Sequence, residues 1–409
     1  MHKYTQPLLH TFQALQNTTY RKLWGTACLL YVARMIEMVC LSWLVLELTD
    51  SPSKVAFVGI ARMVPMAVFG LIAGTISDRI PKILILKYVQ GLNIVVSLVM
   101  LVLIQSNSIV YWHSYLSILL TGSGWVLDFT ARRALYPELF SGRILTNAIS
   151  LDTASLTGSM MLGSILGGLA INMGGFSTAY ILMISMYILA LILFINISTD
   201  NPKKQDNYEQ GINETIKEYL YTLRSNKLIR STFLVTLALN FFGFPYMLMV
   251  PVIARDSLGA NELLFGILLS AAGTGALLGS LVIASLNINR KGLVYVFGSI
   301  IMLIALLIFS MSSSYHFSLI ALFVAGLGTS GFGTMQVIIS LSAVPQNLRG
   351  RAMGVIALGI GSSPLGTLLV GTLADTYGAQ TALGLLTSVG ILVMSSLWFL
   401  LPELRRKIM

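Results

Sequence analysis

Apolar residues run through this chain in long unbroken blocks. These fall near 23–46, 54–75, 84–105, 112–131, 146–171, 177–197, 229–254, 262–286, 292–311, 316–340, 353–374 and 379–401. At about 1.5 Å of rise per residue, about 20 residues cross a hydrocarbon core of roughly 30 Å. The blocks do not alternate as the strands of a membrane barrel do. Backbone amides inside hydrocarbon must be paired within their own segment, so each block is predicted to be a transmembrane helix. The one long polar connection, TDNPKKQDNYEQGINETIKEYLYTLRSNKLIR, separates the sixth block from the seventh. Within it Ile212, Ile216, Leu220 and Leu223 keep helical spacing opposite charged neighbours, which predicts an amphipathic tether at the membrane surface.

Composition agrees with this pattern. Of 409 residues 56% are hydrophobic and only 10% charged, and the mean hydropathy is +0.81. Soluble domains carry about a quarter charged residues. The formal charge of +10 would suit a nucleic-acid partner, but its distribution gives it another meaning. All 26 Lys+Arg except Lys54, Arg255, Arg34 and Arg62 fall in the terminal segments or the even-numbered connections. By the positive-inside rule both termini are predicted cytoplasmic, as in a bacterial inner membrane, and no nucleic acid is expected. Cys28 and Cys40 share the first block, about 18 Å apart along one helix, too far for a disulfide. His2, His10, His113 and His316 sit at block ends, with no nucleophile or metal cluster around them. An enzyme is not expected, and no cofactor is implied.

Five charges fall inside predicted spans: Arg34 and Glu37 in the first, Arg62 in the second, Asp128 in the fourth and Asp152 in the fifth. Charges at this depth are costly and belong to functional or paired groups. Arg34 and Glu37 are three residues apart and share a helix face near mid-bilayer. Arg62 enters the adjacent antiparallel helix by roughly 12 Å, within approach of both. Asp152 lies only about 9 Å from the cytoplasmic end. Asp128 precedes Arg132 by four residues and is expected to be its partner at a surface end. Burial and a neighbouring guanidinium act on a carboxyl's proton affinity in opposite senses, which poises it to take a proton. Glu37 is the expected proton carrier, Asp152 the second candidate, with Arg34 and Arg62 beside them. A permanently ionised Arg34–Glu37–Arg62 cluster that only fixes packing is the other reading these residues leave open.

The stretch GTISDRIPK, Gly74 to Lys82, places Asp78, Arg79 and Lys82 in one cytoplasmic turn. It resembles the signature between helices 2 and 3 of the major facilitator superfamily. DFTARRALYPELFSGRILTNAISLDTA (Asp128 to Ala154), VPQNLRGRAMG (Val344 to Gly354) and PLGTLLVGTLADTYG (Pro364 to Gly378) are similar to a narrower branch. That branch holds the enterobactin-exporter-like and macrolide-efflux-like proteins, the transmembrane secretion effectors. These segments are spread over both halves, so the resemblance covers essentially the whole chain. It implies an all-α membrane protein of twelve transmembrane helices in two six-helix halves, residues 1–197 and 229–409, joined by the linker 198–228. It also implies a cytoplasmic gate latch of Gly74, Asp78, Arg79, Lys82, Arg132 and Arg351, with Asp78 against the start of helix 11 near Arg351 and with Arg79 and Lys82 holding neighbouring cytoplasmic connections. A turn that only sets topology is the other reading these residues leave open. The second half repeats the motif weakly as GSLVIASLNINRKG, Gly279 to Gly292, without the acid. Two features depart from the superfamily's antiporters: the middle of helix 4 lacks Arg, and helix 5 has Ser164 in GSILGG where Pro is usual.

The seventh block contains NFFGFPYMLMVP, Asn240 to Pro251, whose prolines and glycine predict a bend. With GLGTSGFGTMQ in the tenth and GIGSSPLG in the eleventh, it predicts a substrate cavity lined by Asn240, Phe241, Phe244, Tyr246, Gln336 and Ser363. Without second-half charges, that cavity suits a hydrophobic or amphipathic small molecule. The expected function is a secondary transporter, a monomer in the plasma membrane, that exports such a molecule in exchange for protons by alternating access. A uniporter or importer of the same fold, or a sensor that retained it, are the rivals.

Overall fold

The computed structural model describes residues 13–195, 197, 221–286, 288–345 and 348–406. The side chains of residues 67, 69–79, 143, 146, 349 and 350 are not described. Four long helices open the chain: α1 (Thr18–Thr49), α2 (Pro52–Arg79), α3 (Lys82–Gln105) and α4 (Tyr111–Leu139). The helical run Gly142–Phe194 is broken at Gly174 and Gly175 into α5 (142–173) and α6 (176–194). Gly175 has φ 69°, a conformation L side chains rarely adopt. The chain reverses there, since Ala148 and Phe194, near opposite ends of the run, both pack by the first turns of α1, against Tyr20 and Leu23. Then come α7 (Lys227–Phe242 and Tyr246–Asp256), α8 (Glu262–Ser285), α9 (Lys291–Ser310), α10 (Tyr315–Ser342), α11 (Arg349–Ile360 and Ser363–Tyr377) and α12 (Ala379–Leu400). Twelve helices are consistent with the twelve expected spans. Among the described residues, nine segments are long and apolar enough to cross a membrane, the run Asn147–Phe194 being one of them.

Polarity is distributed inside out, as lipid demands. On α3 the buried face carries Gln90, Asn93 and Ser97, while Val95, Leu98, Val99 and Val102 are exposed. A water-soluble helix would reverse this arrangement.

Two sequence readings change. Gly74 to Arg79 belongs to α2, so the expected turn shrinks to Ile80 and Pro81, whose φ of −52° starts α3. Of the predicted amphipathic tether, Ile212, Ile216 and Leu220 lie outside the described residues. Leu223 packs against Ile229, Ala352 and Val355.

The chain divides into two compact units, Met1–Leu48 with Ala61–Asp206, and Thr49–Ile60 with Asn207–Met409. In the first unit α5 lies directly on α1. A Cβ on Gly163 would sit 2.8 Å from the Val32 carbonyl oxygen, and one on Gly167 would sit 3.2 Å from the Ile36 Cα. Ser164 in place of proline therefore leaves close packing intact. In the second unit α10 is pressed against both α8 and α9: Gly326 faces the Ala272 carbonyl and Gly328 the Gly298 carbonyl. Small residues permit such backbone approach where hydrophobic burial supplies no drive between helices.

Thr49–Ile60 joins the second unit through specific bonds. Asp50 pairs with Arg255 at 2.8 Å, and Asp375 accepts from the Ser53 amide at 3.1 Å and the Ser51 hydroxyl at 3.3 Å. Asp375 thereby caps the first turn of α2.

Candidate functional site

In the first unit, the first half of α1, the second half of α4 and the first half of α5 enclose a dense polar knot. Arg132 grips Asp128 with two bonds, Nε to Oδ1 at 2.8 Å and Nη2 to Oδ2 at 2.9 Å. Its Nη1 donates to the Leu23 carbonyl at 2.7 Å and to Thr26 Oγ1 at 3.0 Å, which pins α4 to α1. Asp128 and Arg132 are 0% and 1% exposed, so this is a buried pair and not the surface-end pair expected. All the acceptors these bonds use lie in the first unit, so Arg132 ties α4 to α1. Asp152 is met by two phenols, with Tyr31 and Tyr136 each donating to Oδ1 at 2.8 Å.

Farther along α1, Thr121 of α4 serves both charges at once. Its hydroxyl donates to Glu37 Oε1 at 2.9 Å, and its carbonyl accepts from Arg34 Nη1 at 3.1 Å. The Arg34 guanidinium also lies 4.4 Å above the centroid of the Trp125 ring. Arg62 of α2 interacts electrostatically with Glu37 and Arg34. Tyr187 of α6 interacts electrostatically with all three charges, and Tyr180, also of α6, with Glu37. Arg34 and Glu37 are 4% and 5% exposed, too buried to face bulk water or lipid. The three charges expected together on α1 and α2 are together, with Asp152 one helix packing layer away through Tyr31, whose ring meets Trp125 edge-on at 5.4 Å. Sequence reasoning missed Thr121, Tyr31, Trp125, Tyr136, Tyr180 and Tyr187. A signal existed for the first: Ser114, Ser117, Thr121, Gly124 and Asp128 repeat at three and four residues along α4.

The second unit holds a neutral cluster. Thr236 Oγ1 meets Tyr295 Oη at 2.8 Å and accepts from Gln336 Nε2 at 2.8 Å. Asn240 donates to the Thr236 carbonyl at 2.9 Å. Tyr295 stacks on Phe332, whose ring also meets Phe244. The bend expected in α7 falls at Gly243 to Pro245, between its two pieces. Of the expected cavity residues, Asn240, Tyr246, Gln336 and Ser363 are buried, while Phe241 and Phe244 are half-buried. Asn240, Gln336 and Phe244 belong to the neutral cluster. Phe241 packs elsewhere, its ring against Phe242 and its carbonyl against Gly366 of α11. Thr236, Tyr295 and Phe332 were not foreseen.

The model of one family, described as transmembrane secretion effector, matches residues 9–407. The chain belongs to that family, within the major facilitator superfamily. This transporter is 21% identical over 398 residues to the staphyloferrin A transporter of Staphylococcus aureus, with 94% of this chain and 96% of that protein covered. It is 25% identical over 388 residues to the multidrug efflux pump Tap of Mycolicibacterium fortuitum, covering 90% and 92%. Its fold is similar to that of a bacterial homologue of the lysosomal transporter Spinster in an inward-facing, unoccupied conformation, with TM-score 0.75, 12% identity and 98% of each chain covered. The nucleoside transporter NupG gives TM-score 0.72 at 12% identity, covering 93% of this chain and 98% of that one. The chain is therefore a membrane transporter of small molecules and not an enzyme. Among the expected latch residues of this major facilitator protein, Gly74, Asp78 and Arg79 lie on the last turns of α2, with side chains outside the described residues. Lys82 pairs with Glu138 at 2.6 Å, joining α3 to the end of α4. Arg351 lies half-buried in the first turns of α11.

Proposed function

We propose that the protein is a proton-coupled exporter of hydrophobic or amphipathic small molecules, working by alternating access as a monomer in the bacterial inner membrane with both termini in the cytoplasm. The observation that carries the reading is the buried Glu37, which accepts one hydroxyl bond and stands among two arginines and two tyrosines. A carboxyl so placed changes its charge only when the surrounding charges rearrange, and this ties its protonation to conformation. Further support comes from a relative that is a multidrug efflux pump. The neutral Thr236–Tyr295–Gln336–Asn240 group, flanked by Phe244 and Phe332, suits a greasy ligand with a few hydrogen-bonding groups. Asp78, Arg79, Lys82 and Arg351 are proposed to close the cytoplasmic side, Gly74 giving the close crossing beside them.

The test is efflux of a panel of lipophilic dyes from cells and proton movement in everted vesicles, for wild type and Glu37→Gln. Coupled transport predicts dye-driven proton release in wild type and none in Glu37→Gln at equal expression. Proton movement that survives in Glu37→Gln removes the carrier role. The ionised packing cluster would then stand.

A further inference from the structure

The polar face of α4 does not stop at Thr121. It continues toward the opposite end of the helix through Ser117 and Ser114, four and seven residues earlier on the same side. Both are buried, at 3% and 0% exposure. Tyr180 of α6, 1% exposed, brings its hydroxyl beside Ser117 and toward Glu37 and Cys40. Among the described residues, the Ser114 hydroxyl has no hydrogen-bond partner, and those of Ser117 and Tyr180 have none beyond their approach to each other. Buried polar groups nearly always have full sets of partners, so an unpartnered Ser114 beside an under-satisfied Ser117–Tyr180 pair calls for a bridging species. Successive α4 positions are about 4.5 and 6 Å apart along the axis, a gap one water molecule spans. Two hydroxyls per gap also supply the polar partners that a buried water needs.

We propose that Ser114, Ser117 and Tyr180 line a file of water molecules that carries protons between the outer end of α4 and Glu37. In each step a water or hydroxyl accepts a proton on one side and releases another on the far side, so no group along the file changes charge. The proton ends on the Glu37 carboxylate, and the Thr121 hydroxyl bonded to that carboxylate is the last link. The titratable groups facing the end point are Arg34 and Cys40 on its own helix, Arg62 on α2, and Tyr180 and Tyr187 on α6. The inference rests on Glu37 as the proton carrier, and the test separates the two.

The full-length purified protein is subjected to a pH jump while the infrared carboxylic-acid band removed by Glu37→Gln is followed. The variant Ser114→Ala/Ser117→Ala/Tyr180→Phe keeps the shapes and deletes the hydroxyls. Slowing of Glu37 protonation by tenfold or more, with unchanged final amplitude, is the expected result, and an unchanged rate overturns the file. A melting temperature above wild type in this variant means that the hydroxyls were dry, and also overturns it. If Glu37→Gln leaves the infrared band intact, the carrier assignment fails. An experimental density map fine enough to show ordered water then decides the file alone. Density between Ser114, Ser117 and Tyr180 supports hydration, and tight packing without it refutes the file.

Discussion

Replacing Arg132 by Met is the sharpest test of the polar knot. The change deletes two bonds to Asp128, at 2.8 and 2.9 Å, and two to α1, through the Leu23 carbonyl and Thr26. It leaves the Asp128 carboxylate fully buried with no cation against it. Breaking a buried pair from one side costs about 3–5 kcal/mol, mostly the penalty of the abandoned charge. That is roughly two to three and a half decades in the unfolding equilibrium, at about 1.4 kcal/mol per decade. Asp128→Leu should cost a similar amount, because it abandons a guanidinium. Removing both charges together, Asp128→Leu with Arg132→Met, should restore stability to within about 1–2 kcal/mol of wild type. The assay is unfolding of the purified protein by sodium dodecyl sulfate in mixed micelles, with helicity as the readout. Glu138→Gln serves as the internal control. It breaks the Lys82 pair, whose acid is 50% exposed, and should cost about 0–1 kcal/mol. A single Arg132→Met cost below about 1 kcal/mol, or a double-variant cost equal to the sum of the singles, would refute the claim that the knot is a closed, desolvated unit.

Other outcomes follow from local geometry. A side chain on Gly326 meets the carbonyl of Ala272, which cannot turn aside, whereas Gly333 faces open space. Gly326→Leu should therefore cost about 3 kcal/mol or more, or abolish folding, while Gly333→Ala should change stability by less than about 1 kcal/mol in the same assay. Asp375→Ala removes the cap on the first turn of α2 and should destabilise the second unit by about 1 kcal/mol, with Asp375→Asn recovering part of that. For the proposed latch, Asp78→Asn is expected to abolish dye efflux at normal expression; normal efflux would count against its role.

The large features were legible because they rest on strong physical penalties. Unpaired backbone in hydrocarbon fixes the helices, and the cost of charge at depth singled out Arg34, Glu37, Arg62 and Asp152. Two misplacements have a common origin, namely that the ends of apolar blocks are not the ends of helices. α4 runs on to Leu139, past the block end at 131, so Asp128 and Arg132 lie well inside it; α2 runs through Asp78 to Arg79. Neutral groups left a weaker trace. Thr121, Tyr31, Tyr180 and Tyr295 carry no formal charge, and Ser, Thr and Tyr occur throughout apolar spans. Only their neighbours in space, such as Tyr31 and Tyr136 converging from α1 and α4 on Asp152, make them distinctive.

The two units answer the same solvent in opposite ways. In the first, Arg34, Glu37, Arg132 and Asp152 are buried, and each is matched by phenols, hydroxyls or carbonyls drawn from neighbouring helices. Such matching fixes one arrangement well, and a proton added to one carboxyl leaves its neighbours with the wrong partners. In the second, α8, α9 and α10 touch through glycine backbones, and the buried polar cluster is uncharged. Backbone-to-backbone contact has little side-chain entropy to lose and no charge to desolvate, so its energy depends weakly on protonation. On the proposed function, the proton acts in the first unit and a neutral ligand binds in the second. Coupling between them requires no charge on the ligand, only that one unit's preferred geometry depend on Glu37. The reasoning therefore expects a Glu37→Gln protein to retain dye binding, measured by fluorescence anisotropy on purified protein, within about threefold of wild type while losing proton-driven efflux. Loss of both together would place ligand and proton at one site and refute the separation.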